Sequence, residues 1–247
     1  MLFGVLNGID ENEWNPATDM HLPANYSASD LAGKERCKAE LLLEAGLPYA
    51  REALTFGLVS RLVWQKGIDL CMSVLPELLA RKPVRLVVLG TGEPTYEDFF
   101  KQMMRRFPRQ VAYLPKFSER MAHRIEAGAD AFLMPSRYEP CGLNQMYSLS
   151  YGTMPLVHRT GGLADSVWPF DARTGKGTGV VFDHFDDAGF AWALRRTLEL
   201  WGTGAGASRA AWTRMQQETL AVVNPAVAAS HGISACPISR APCSTRP

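Results

Sequence analysis

No charge of one sign dominates this chain of 247 residues: 26 Lys and Arg stand against 25 Asp and Glu, a net of +1. That balance excludes a polyelectrolyte binder of nucleic acid or of an anionic membrane surface, so any anion must be held by a few local groups. Long hydrophobic runs are missing as well. The longest apolar stretches, such as Val84–Leu89 with Arg85 inside it, are broken by charge or glycine far short of the roughly 20 residues that a membrane-spanning helix needs. Cysteine is sparse: Cys37, Cys71, Cys141, Cys236 and Cys243 are odd in number and scattered, with no C-x-x-C pair for zinc or redox chemistry. The sequence therefore predicts a reduced, cytoplasmic protein with no metal site. A full G-x-G-x-x-G fingerprint is absent, because Thr95 stands where Gly90-Thr-Gly92 would need its third glycine. No acidic ribose ligand follows about 20 residues on, which argues against a dinucleotide oxidoreductase. No internal repeat is present.

What the chain does have is a globular balance, 47% hydrophobic and 21% charged residues, and a regular alternation of short apolar runs with helical patterns. Strands are expected at 54–60, 84–89, 110–114, 131–134, 155–158 and 179–182. Helices are expected at 33–45, 67–81, 96–106, 118–127, 143–151, 163–167, 187–201 and 209–220. Repeated strand–helix units imply a parallel sheet covered on both faces, an α/β, doubly wound, Rossmann-like domain. We place that domain at 51–219, with a turn-rich leading segment and helix over 1–50. Residues 220–247 lack acidic groups and any usable period, and are read as a disordered or non-native tail.

In such sheets ligands bind beyond the carboxyl ends of the strands, so the post-strand loops are where chemistry is sought. Ser60-Arg61-Leu-Val-Trp-Gln-Lys66-Gly67 puts two cations at a strand end and a helix start, a natural phosphate site; plain surface cations fit equally well. Pro135-Ser-Arg-Tyr-Glu139-Pro-Cys141-Gly142-Leu143-Asn-Gln145-Met-Tyr147 is the densest loop. An exposed Glu139 there can accept hydrogen bonds from sugar hydroxyls or cap the next helix. Gly142 allows close backbone approach, and Cys141 reads as a small hydrophobe rather than a nucleophile. Arg159-Thr160-Gly161-Gly162 opens a helix after a strand, as a second phosphate cradle or as an ordinary turn. His158 reads as structural. Phe117 could face a nucleobase, although its spacing alone favours the core. Two phosphate-type loops and one hydroxyl-type loop on one sheet edge suit a nucleotide sugar.

These stretches resemble the bacterial glycogen synthases and plant starch synthases. The matching segments include Trp14-Asn-Pro16, Val59-Ser-Arg-Leu62, Gln65-Lys-Gly67, Gly128-Ala-Asp130, Glu139-Pro-Cys-Gly-Leu143, Tyr151-Gly-Thr153 and Thr160-Gly-Gly-Leu-Ala-Asp165. The resemblance runs from about Gly4 to Gln216. It implies the C-terminal, nucleotide-sugar-binding half of a two-domain (GT-B type) glycosyltransferase, in which ADP-glucose is substrate and neither metal nor cofactor is required. The implied reaction is retaining transfer of glucose to the non-reducing end of an α-1,4-glucan. By resemblance Arg61 and Lys66 neutralise the donor diphosphate, while Glu139 and the Cys141–Gly142–Leu143 loop hold the glucosyl hydroxyls. Thr160, Gly161 and Gly162 would donate to the distal phosphate, and Phe117 would stand against adenine. The family's N-terminal domain has no counterpart in these residues, so the chain is expected to be a donor-binding half, inactive alone. A module that binds ADP or ADP-glucose without catalysis, or a retaining transferase using another nucleotide sugar, is the alternative. The setting would be the cytoplasm in a bacterium and a plastid in a plant or alga.

Overall fold

The structure, a computed structural model, describes residues 7–202 and 209–223. Six strands form one sheet: β1 Thr55–Val59, β2 Arg85–Leu89, β3 Val111–Leu114, β4 Ala131–Met134, β5 Met154–His158 and β6 Val180–Phe182. Their order is β3-β2-β1-β4-β5-β6 and every pairing is parallel. Residue 55 pairs with 85, 86 with 111, 131 with 154 and 156 with 180. Parallel strands need crossovers, and the helices supply them: α2 Ile68–Arg81, α3 Pro94–Arg106, α4 Glu119–Gly128, α5 Asn144–Ser150, α6 Gly161–Ser166 and α7 Asp187–Trp201. Before the sheet lies α1 Ala32–Glu44, and after it α8 Arg209–Val223. The Rossmann-like expectation holds.

The strands read as continuous apolar runs because both faces are buried. Side chains alternate between two cores. Phe56, Leu58, Leu86, Val88, Leu133 and Leu156 join Leu75, Phe100 and Leu194 from α2, α3 and α7 on one face. Val87, Leu89, Phe132, Val157 and Val181 meet Leu41, Ile125 and Leu163 from α1, α4 and α6 on the other. The helices carry matching stripes. On α3 the buried residues are Tyr96, Phe99, Phe100 and Met103, one helical face. Ser118 caps α4 through Met121 N–H, and Asp186 caps α7 through Gly189 N–H. Gly202, at φ +102°, ends α7 in a left-handed turn.

Residues 7–31 have no helical or strand period, yet side chains tie them down. The Trp14 ring is stacked between His123 and Tyr147, with centroids 3.8 and 3.6 Å away. The Asp19 carboxylate accepts from Tyr151 OH at 2.5 Å and lies 2.8 Å from His123 Nδ1. Then α1 is pinned by two buried lysines. Lys34 Nζ donates to Ala127 O, Tyr151 O and Thr153 Oγ1 at 2.7–3.0 Å. Lys38 Nζ pairs with Asp130 at 2.8 Å, and Asp130 in turn accepts Thr55 N–H. At the far end α8 runs past position 220, with Leu220 buried beside Tyr26 and Tyr151. The tail from 224 onward lies outside the described residues. Among the described residues no helix is long and apolar enough to cross a membrane.

Candidate active site

The strand order reverses between β1 and β4: from β1 the chain builds outward through β2 and β3, then returns to add β4, β5 and β6 on the other side. Loops leaving β1 and β4 therefore diverge and open a crevice at their carboxyl ends, the usual ligand position in such sheets. A cavity of about 330 Å³ lies there. Arg61, Lys66, Phe117, Glu139, Gly142 and Leu143 line it, together with Ser60, Thr91, Ser136 and Asn144. Six of the ten residues singled out from sequence thus meet in one place. Cys141, Thr160, Gly161 and Gly162 do not line it.

Lys66 ends a 3-10 turn, Trp64–Lys66, directly before α2. Its ammonium lies 2.5 Å from Glu139 Oε2, and Ser136 Oγ is 3.3 Å from the same oxygen. Among the described residues no hydrogen bond reaches Oε1, which leaves that oxygen open to a ligand hydroxyl. Glu139 is 8% exposed, so the exposed carboxylate expected from sequence is instead a buried one, and it caps no helix: α5 has no side-chain cap. Burying an ion is tolerable here because Lys66 pairs with it. Arg61 is exposed and makes no salt bridge among the described residues. The site thus offers one paired cation, one open cation and one carboxylate oxygen.

Phe117 is 66% exposed and stands at the cavity rim, so the core position favoured by its spacing is corrected. A residue between β3 and α4 has no periodicity to read, and the short Lys116-Phe-Ser link does not turn inward. His158 is structural as expected: its Nδ1–H donates to Ser136 O at 2.9 Å and its ring meets Phe182 and Phe185.

The glycines of these loops serve chiefly to bring backbones together. Gly67 has φ +70°, and a Cβ there would lie 1.8 Å from Pro135 O, so the β1 and β4 loops meet only because no side chain intervenes. Arg137 N–H reinforces the seam by donating to Gln65 O at 2.9 Å. The Arg137 guanidinium pairs with Asp69 and lies over the Trp64 and Phe185 rings. Gly162 N–H donates to Glu139 O at 3.0 Å, and a Cβ at Gly162 would lie 2.2 Å from Cys141 O. That amide is occupied by the neighbouring loop, and α6 starts at Gly161 rather than Leu163. Cys141 Sγ accepts Asn7 N–H at 3.3 Å. Gln145 Nε2 holds Cys141 O and Gly142 O, and Asn144 Nδ2 holds Val59 O at 2.7 Å. The sequence reading did not single out Ser136, Arg137 or Asn144. Their only signal was a place inside the Pro135–Tyr147 segment.

Comparison with known proteins agrees with this architecture. The chain is 51% identical over 223 residues to a glycogen synthase of Anaeromyxobacter dehalogenans, covering 90% of this chain and 46% of that protein. It is 46% identical over 201 residues to the chloroplastic/amyloplastic starch synthase 1 of Triticum aestivum, covering 80% and 31%. The chain spans about half the length, or less, of the curated relatives it matches. The catalytic domain of starch synthase IV from Arabidopsis thaliana, solved with ADP and acarbose, superposes with a TM-score of 0.81 at 33% identity, over 96% of this chain and 49% of that one. Anabaena HepE, solved with UDP and glucose, shares the fold at 16% identity and a TM-score of 0.60, over 92% and 56%. Residues 47–217 match the model of the glycosyl transferases group 1. With a six-stranded parallel sheet and a crevice at its reversal point, the chain belongs to the glycosyl transferases group 1 family.

Proposed function

We propose that this chain is the C-terminal, donor-binding half of an ADP-glucose-dependent glycogen or starch synthase. The observation that carries the proposal is the pairing of Lys66 with Glu139 across the β1/β4 crevice, with Arg61 open beside it. Lys66 keeps two further N–H donors for phosphate oxygens while Glu139 fixes its position. As the glycosyl–phosphate bond breaks, negative charge grows on the departing ADP, and the two cations are where that charge would be stabilised. Oε1 of Glu139 and the backbone at Gly142 are offered to the glucosyl hydroxyls, and Phe117 to the adenine face. Of the three expected distal-phosphate donors, none of which lines the cavity, Thr160 and Gly161 are left for a phosphate reaching past its edge, since Gly162 N–H is engaged by Glu139 O. In this reading neither a metal nor a cofactor is called for in the chemistry. Glucose passes to the non-reducing end of an α-1,4-glucan with retention, in the bacterial cytoplasm or in a plastid. The relatives named glycogen synthase and starch synthase, and the similar structure determined with ADP and acarbose, support the choice of nucleotide.

Calorimetric titration of the chain with ADP, ADP-glucose and UDP tests the donor. ADP and ADP-glucose are expected to bind and UDP to bind more weakly. Silence toward ADP with tight UDP binding would move the chain to a transferase of another nucleotide sugar.

A further inference from the structure

On the α4 side of the molecule, apart from the crevice, Glu13, Glu119 and His123 converge. One ring nitrogen of His123 and one carboxylate oxygen from each glutamate lie within 4.8 Å of one another. None of the three lines the nucleotide-sugar cavity. The sequence reading assigns no metal ligand, because these residues share no motif and meet only in the fold. We propose that they form a binding site for a divalent transition-metal ion of the zinc class, which clasps residues 7–31 to α4.

The histidine carries the inference. Its side chain is fully buried. Nδ1 lies 2.8 Å from the Asp19 carboxylate and 3.2 Å from Tyr151 OH, and that hydroxyl already donates to Asp19. A carboxylate can only accept, so the Nδ1 proton points at Asp19, and in the neutral ring the lone pair then lies on Nε2. Nε2 is buried and has no hydrogen-bond partner. An orphaned buried acceptor of this kind needs a ligand to account for it. Carboxylate-to-Nδ1 with a bare Nε2 is the arrangement that orients metal-binding imidazoles.

The two carboxylates complete the donor set. Glu119 and His123 are four residues apart on α4 and so share one face. Glu13 comes from a turn closed by Glu13 N–H and Trp14 N–H on Asp10 O at 3.2 and 2.9 Å. That turn is fixed over the site because the Trp14 ring stacks on the His123 ring. Neither glutamate forms a salt bridge among the described residues, and both are exposed, which gives an ion a route in and leaves room for water as a fourth ligand. One imidazole nitrogen with two carboxylates suits zinc or a similar first-row ion and disfavours magnesium, which prefers oxygen alone.

The test titrates metal-free full-length chain with zinc chloride, following heat and thermal unfolding, with magnesium chloride as control. The variants are Glu13→Gln and Glu119→Gln, both at exposed positions, so His123 is left intact to preserve folding. Because the chain holds five cysteines, cobalt(II) absorption separates nitrogen and oxygen ligation from thiolate ligation. The expected result is one zinc per chain, a rise in melting temperature that magnesium does not give, and about a tenfold or greater loss of affinity in each variant. Cobalt should give no thiolate charge-transfer band. Absence of saturable zinc binding, an affinity unchanged in either variant, or a thiolate spectrum would overturn the proposal.

Discussion

Lys66 and Glu139 together set the charge that a ligand meets in the crevice, and neither can be altered alone without exposing the other. Under the proposed function, replacing Lys66 by alanine removes a phosphate partner and leaves the Glu139 carboxylate, 8% exposed, facing an incoming diphosphate. ADP affinity is expected to fall about ten- to hundredfold, a charge-assisted contact being worth roughly 1.5–3 kcal/mol. Adding Glu139→Gln to Lys66→Ala should recover part of that loss, because the unpaired charge is gone; calorimetry on both variants measures it, and an unchanged affinity in Lys66→Ala would refute the role. That these residues would meet at one sheet edge was legible in sequence because strand, cation and helix start fall in a fixed order there. Their surroundings were not. Glu139 is buried and Phe117 exposed, the reverse of both expectations, since short links between elements have no period from which to read an inward face. The same limit hid Ser136, whose hydroxyl reaches Glu139 only through the turn of the loop.

At the scale of elements, strands and long helices were legible because burial on both faces of the sheet demands unbroken apolar runs, and crossover helices demand one apolar stripe. Segments held by polar ties were not. Residues 7–31 carry no pattern, and α1 is docked by Lys34 and Lys38, whose charged identity argues for solvent until the carbonyls around them are seen. Several stretches matched to the family, Trp14-Asn-Pro16, Gly128-Ala-Asp130 and Tyr151-Gly-Thr153, belong to this docking and not to the crevice. A pH prediction follows for α1. Burial pushes the Lys34 ammonium down to about 8, while in the unfolded chain it titrates near ~10.4. Between those values the native state binds fewer protons than the unfolded one, so this group makes stability rise with pH across that window. Below about pH 8 the full cost of holding the charge applies. Relative to Lys34→Met, the wild-type chain should therefore gain on the order of 3 kcal/mol from pH ~8 to ~10.4. Urea unfolding midpoints of both proteins across that range measure it, and parallel pH profiles would contradict it.

For the whole molecule, near-neutral net charge leaves no long-range field to gather an anionic ligand, so capture of the proposed donor would rest on the crevice itself. The chain matches about half the length of its relatives; under the proposed function it supplies the donor-binding wall of a cleft, and an acceptor is left unpositioned without the other wall. In a radiolabelled-glucose assay the 247 residues alone are expected to give no incorporation into glucan. Incorporation is expected once the remaining part of a glycogen synthase is supplied as a second chain. Turnover by the chain alone would overturn this reading, and none in either case would favour a module that binds without catalysis. The seams between post-strand loops carry a wider consequence. Ser60 O sits against Gly90, Pro135 O against Gly67, and Glu139 O and Cys141 O against Gly161 and Gly162, so four successive loops are interlocked backbone to backbone. Such a rim has little conformational freedom left to lose when a ligand arrives, and a preorganised site of this kind converts contacts into affinity without first having to order itself.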